Sequence, residues 1–214
     1  MTNHRLEMKR KVNIYRRYFL WKKAGCVFIH VPKVAGTSIN QAIYGRPMGH
    51  YTAMEVRNSF PGLFNNLPVF TLVRNPWSRA VSAWRFACLG KTNVMGIHNP
   101  EQYQIPEFSS FERFLLDWLQ KKDVLKLDFV FRPQYLFICD EKGDVLVDHL
   151  GRLEELPETK RYMEEHLEIT KSIGMANSSM GETDYRCYYH TYEMIDAVRR
   201  VYDADITKFN YDFD

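Results

Sequence analysis

The sequence predicts an α/β fold of three layers, a central and mainly parallel sheet flanked by helices. Two observations carry the prediction. Cys26 to Val31 and Val69 to Val73 are short apolar, β-branched runs, each closed by a nearby proline, which is the pattern of a buried strand. Each is followed by a helical pattern, and strands that alternate with helices build parallel sheets.

Taken in order, Met1 to Lys23 is basic and carries Tyr15, Tyr18, Phe19 and Trp21. That composition suits a short amphipathic helix packed on the body better than one lying on a membrane. After the first strand comes a loop with Gly36, then Thr37-Ser38 in N-cap position ahead of a helix over Ile39 to Tyr44. The second strand closes at Asn75-Pro76. Trp77 to Leu89 then places Ala80, Val81, Trp84 and Ala87 on one helical face. Gly90 to Glu107 reads as a long exposed loop, and Phe111 to Leu119 as a helix. Tyr135 to Cys139 and Val145 to Leu150 flank Asp140-Glu141-Lys142-Gly143 as a hairpin or turn. Pro157 to Leu167 is a charged helix, and Tyr188 to Tyr202 a longer amphipathic one.

A chain of 214 residues, 45% hydrophobic and 14% aromatic, can bury a core without disulfides or a metal. The net charge of +3 gives no reason to expect nucleic-acid binding, so any electrostatic function must come from a local cluster. The four cysteines, Cys26, Cys88, Cys139 and Cys187, are scattered and read as free thiols in a reducing compartment, although two disulfides are also compatible with the sequence. No segment has the uninterrupted apolar length of a membrane span, and no signal peptide is recognisable.

Two strand-to-helix loops carry the chemistry. In His30-Val31-Pro32-Lys33-Val34-Ala35-Gly36-Thr37-Ser38, small residues let backbone N–H groups approach an anion, and a helix N-terminus adds its positive dipole end. Lys33 supplies a point charge, and Thr37 and Ser38 supply hydroxyls. The plain alternative is an ordinary turn with a solvated lysine. The order of Lys33 and Gly36 is not that of a Walker A loop, and Gly90-Lys91-Thr92 lacks the upstream glycine such a loop requires. In the second loop Arg74 stands at a strand's carboxyl end, where its fork can grip a phosphate, and Ser82 lies within the next helix.

Together the two loops resemble the sulfotransferases that use 3'-phosphoadenosine 5'-phosphosulfate (PAPS). More specifically they resemble the membrane-type carbohydrate group, heparan 2-O- and chondroitin-like, with its compact bacterial relatives. Arg132-Pro133-Gln134, Gly151-Arg152-Leu153-Glu154, and the C-terminal Tyr188-Tyr189 and Tyr211-Asp212-Phe213 extend the likeness over about residues 26 to 213. Val34 and Ala35 stand where many members have Thr and Gly. The resemblance implies a P-loop-like domain over 26–214, with 1–25 as an extension packed on it. It also implies that Lys33 meets the bridging oxygen and 5'-phosphate, that Ala35, Gly36, Thr37 and Ser38 hold that phosphate, and that Arg74 and Ser82 bind the 3'-phosphate. Arg152 is assigned to the nucleotide's edge, or else to a salt bridge with Glu154 or Glu155. No metal is implied.

The acceptor, a hydroxyl and by resemblance that of a carbohydrate, needs a general base, and histidine suits neutral pH. His50 stands where the glycosaminoglycan-type members carry theirs. Glu55 is the alternative base, and His98 is a candidate acceptor contact. His30 reads as a satisfied core residue, and His166 as solvated. Arg46, Arg57, Arg79, Arg85 and Lys91 are candidates for a basic acceptor cleft or else ordinary solvated charges. The competing functions are an ATP- and magnesium-dependent kinase and a nucleotide-binding protein without catalysis. Short length and the missing anchor point to a cytoplasmic enzyme of bacterial type. Oligomeric state is not legible.

Overall fold

The computed structural model describes residues 2–91, 96–97, 99–170 and 184–214. His98, Asn177-Ser178-Ser179 (whose pattern is that of an N-glycosylation acceptor) and the Gly174–Thr183 segment, short of large apolar residues, lie outside them. In chain order the elements are α1 (Thr2–Tyr15), α2 (Tyr18–Ala24), β1 (Val27–Ile29), α3 (Gly36–Tyr44), α4 (Ala53–Ser59), α5 (Pro61–Asn66), β2 (Val69–Val73) and α6 (Pro76–Leu89). They continue with α7 (Phe111–Arg113), α8 (Tyr135–Ile138), β3 (His149–Arg152), α9 (Leu156–Leu167), α10 (Tyr192–Val201) and α11 (Asp203–Phe209). The predicted class, helices about a parallel sheet, is the one the chain builds.

Several predicted elements differ. Thr37 and Ser38 do not cap α3. Ala35 occupies the cap position in a left-handed conformation with no side-chain cap bond, and both hydroxyls fall inside the first turn. Tyr135 to Ile138 is helical rather than extended. Only the bridge between Cys139 and Val145 and the turn at Asp140 survive from the expected hairpin, while His149–Arg152 leaves to join the sheet. The Phe111 helix passes from one α-turn into a π-turn over Phe114–Trp118. Gly90 to Glu107 is not simply exposed, because Ile97 and Tyr103 are core residues. All four cysteines are free.

The chain forms two compact units. The first comprises Met1–Val31, Ala35–Val73 and Leu136–Ala176, and the second Pro32–Val34, Arg74–Tyr135 and Asn177–Asp214. In the first, β2 is central and pairs in parallel with β1 (Phe28 opposite Phe70) and β3 (Phe70 opposite His149, Val73 opposite Arg152). The strands therefore end on one sheet edge. Phe28, Phe70, Leu72 and Gly151 share a face, on which Tyr162 of α9 packs 5.9 Å from the Phe70 ring and stacks on His149 at 3.7 Å. Gly151 is small because Thr159 of α9 lies where its Cβ would be.

β1 is an edge strand, and its outward backbone groups need partners. Tyr44 of α3 supplies them. Its hydroxyl accepts from the Phe28 N–H at 2.8 Å and donates to the Cys26 carbonyl at 3.2 Å. On the other side of the strand, the Thr71 hydroxyl donates to the Ile29 carbonyl at 2.7 Å.

The second unit is built on an aromatic cluster. Fully buried Phe131 lies 5.1 Å from the Trp118 ring, 5.5 Å from Tyr103 and 5.8 Å from Phe114. α6 begins where it does because Asn75 caps the N–H groups of Trp77 and Ser78, with Pro76 in the first turn where no N–H is required.

Candidate active site

The second unit holds Lys33, Arg74 and Ser82. Lys33 has φ of 71°, a left-handed conformation that disfavours a side chain, so something must hold it. Arginines do so from two positions. Arg74 donates from Nη1 to the Lys33 carbonyl at 3.2 Å, and Arg79 donates from Nε to the Pro32 carbonyl at 3.1 Å. The Lys33 ammonium sits 4.3 Å from the Phe86 ring centroid, a cation–π contact. Burial, then repulsion from Arg74 and Arg79, brings its pKa down from 10.5 to about 8. A cluster of cations around a strained loop is an arrangement that an anionic ligand stabilises.

Arg74 is itself fixed by residues outside the two loops. The Gln134 side chain, wholly buried, accepts from the Arg74 N–H at 2.9 Å and donates to its carbonyl at 2.8 Å, pairing with its main chain as a neighbouring strand would. Asp205 in turn accepts from the Gln134 and Tyr135 N–H groups at 2.7 and 2.9 Å. Burial raises the Asp205 pKa. The Arg74 Nε donates to Ser78 at 2.9 Å, one turn before the buried Ser82 named from the sequence. Ser78 was missed because only spacing pointed to a partner, and both serines lie on α6.

Arg79 corrects an expectation. It is 1% exposed, so it neither lines a surface cleft nor stands as solvated charge. Besides Pro32 it donates to the carbonyls of Val130 and Arg132 at 3.2 and 2.7 Å, and it works from inside as a brace for the Pro32-Lys33 turn.

The first unit holds Ala35 through Ser38, His50, Glu55 and Arg152. Ala35 has φ of 61°, which turns the chain into α3 at Gly36. A Cβ on Gly36 would lie 1.9 Å from Cδ2 of His30, so a glycine is required for the imidazole to pack there. His30 is buried beyond the end of β1, within 3.1 Å of Asn40 Nδ2, a core residue as expected. Arg152 closes β3 opposite Val73.

His50 follows Gly49, whose φ of 86° makes the turn. Its Nδ1 lies 2.9 Å from the His30 carbonyl, and the two rings are 4.2 Å apart. A carbonyl only accepts, so Nδ1 carries the hydrogen and Nε2 of the neutral ring is the basic nitrogen. Glu55 is differently employed. It accepts from Arg10 at 2.5 and 2.7 Å and closes a capping box with Thr52. Burial would raise its pKa, but the Arg10 and Thr52 hydrogen bonds outweigh burial and hold it below the ordinary value. A carboxylate so held is a weak proton acceptor at neutral pH.

Among the described residues there is no His, Cys, Asp or Glu group arranged to hold a metal ion, and no helix is long and apolar enough to cross a membrane. The model of the sulfotransferase family matches residues 16–212, nearly the whole chain. The protein belongs to the sulfotransferase family, a class of transferases that move a sulfuryl group from a nucleotide donor to an acceptor hydroxyl. No curated protein and no solved structure gives a significant match.

Proposed function

We propose that the protein transfers the sulfuryl group of PAPS to a carbohydrate hydroxyl, with His50 as general base. The observation that carries the donor assignment is the hydrogen bond from Arg74 to the Lys33 carbonyl, which joins the residues marking the two phosphate-type loops. Lys33 would hold the 5'-phosphate as negative charge develops on it. N–H groups and hydroxyls from Ala35, Gly36, Thr37 and Ser38 would share that load. Arg74 and Ser82 would bind the 3'-phosphate, with Ser78 orienting Arg74, and Arg152 would meet the nucleotide's edge. The donor supplies an activated sulfuryl group, so the chain's work is to position it and stabilise charge.

His50 Nε2 would take the proton of the acceptor hydroxyl, the role its tautomer fits and for which Glu55, its pKa held low by Arg10 and Thr52, is the weaker base. Residues 26–214 are the catalytic domain in this reading, and 1–25 an extension of it. Free cysteines accord with a cytoplasmic location. The test is His50→Ala, which should lose more than about 100-fold in turnover. Its affinity for 3'-phosphoadenosine 5'-phosphate, the spent donor, should be unchanged. Near wild-type turnover would remove His50 from the reaction.

A further inference from the structure

The segment before the first strand contributes to the loop that carries His50. We infer that Arg10, on α1, is a positioning residue for His50, an inference that rests on His50 being the base. From Nη2 Arg10 donates to the His50 carbonyl at 2.5 Å, while Nε and Nη2 grip the two oxygens of Glu55 at 2.5 and 2.7 Å. The guanidinium also lies 4.8 Å from the Tyr51 ring centroid. Glu55 accepts from the Thr52 N–H at 2.8 Å as well, so one guanidinium ties the backbone of His50 to the start of α4. Arg17 adds a second tie, from Nε to the Met48 carbonyl at 3.1 Å.

The effect on His50 is specific. Its ring is held by the His30 carbonyl and its main chain by Arg10, on either side of the side-chain torsions. Gly49, at φ of 86°, leaves the preceding backbone free to swing once that tie is gone. Ring orientation and the Nδ1–H tautomer would both loosen. A planar fork can make these three bonds together, whereas an ammonium cannot. Glu55 thereby becomes the counter-ion of the positioning group.

Charged and titratable groups near His50 among the described residues include Arg10 of α1, Arg17 before α2, Tyr51 next in sequence, Glu55 of α4 and His30 beyond β1. Removing the Arg10 charge leaves the Glu55 carboxylate uncompensated, which favours the imidazolium form of His50. Its titration midpoint should therefore move up in Arg10→Ala.

The test combines imidazole NMR titration of the full-length protein with kinetics. In Arg10→Ala we expect a higher His50 midpoint, loss of the single Nδ1–H tautomer, and kcat lower by roughly 10- to 100-fold. Affinity for 3'-phosphoadenosine 5'-phosphate should stay at the wild-type value. Arg10→Lys should keep the midpoint near wild type yet recover little of the kcat, and it serves where Arg10→Ala fails to fold. In a His50→Ala background the Arg10 substitution should cost no further turnover. An unmoved midpoint and tautomer, or an equal loss of turnover with and without His50, would overturn the inference. Full turnover in His50→Ala alone would instead overturn the reading on which it rests.

Discussion

Lys33 is a residue whose chemistry depends on pH within the accessible range. With its pKa at about 8 in the folded protein against 10.5 ordinarily, the unfolded chain holds a proton between those values that the folded protein has released. Unfolding then takes up a proton, so this group's contribution makes stability rise with pH across that window. Below pH 8 the charged lysine is a liability in the ligand-free protein. Lys33→Met should therefore be more stable at pH 7 by about 2 kcal/mol while losing donor affinity. In denaturant titrations at pH 7 and pH 10, the gap between variant and wild type should shrink. A constant gap would place the lysine in a solvated environment. If Lys33 holds the donor's phosphate as proposed, affinity for 3'-phosphoadenosine 5'-phosphate should fall as pH climbs past about 8 and the free lysine loses its charge. Gly36→Ala is the steric counterpart. A Cβ 1.9 Å from His30 forces ring or helix to move, and about 1–3 kcal/mol of stability should go, readable as a drop in the melting temperature.

At the scale of elements, Tyr44 shows how a short strand is kept from pairing elsewhere. Its hydroxyl satisfies the outward N–H of Phe28 in β1 and the carbonyl of Cys26 just before it, and removal leaves a buried N–H without its acceptor. Tyr44→Phe should cost about 1–3 kcal/mol and raise amide exchange at Phe28. Unchanged exchange there would mean that the strand edge is protected in another way.

What the sequence disclosed followed the strength of local patterns. The runs around Phe28 and Phe70 were legible because a β-branched apolar stretch closed by proline has few other readings. β3 was not, since His149-Leu150-Gly151-Arg152 has no apolar periodicity and is a strand only because β2 offers it an edge. Tyr135 to Ile138 is apolar enough for either state and was read as the wrong one. α4 and α5 went unassigned although Thr52 and Glu55 form a capping box, a signal that was available. In the candidate site, Lys33, Gly36, Arg74 and His50 came from motif order. Their supports did not, since Arg10, Arg79, Gln134 and Asp205 act through contacts between distant residues that spacing cannot reveal.

For the whole molecule, the balance of charge was uninformative while its placement was not. A net of +3 suggests no ligand, yet Lys33, Arg74 and the buried Arg79 converge on one turn. Stability of the second unit should depend on its aromatic core. Phe131→Ala, which empties a site among Trp118, Tyr103 and Phe114, should cost about 3–5 kcal/mol in thermal unfolding. A loss below 1 kcal/mol would mean that the core refills the space.

The donor claim is tested most directly by thermal stabilisation with 3'-phosphoadenosine 5'-phosphate, compared with ADP and with ATP plus magnesium. At about 100 times its dissociation constant a native-state ligand adds about 2.7 kcal/mol, a rise of roughly 5–10 °C for a chain of this length. That rise is expected for the 3'-phosphorylated nucleotide alone, and it should be lost in Arg74→Ala. No rise, or a preference for ATP with magnesium, would contradict it.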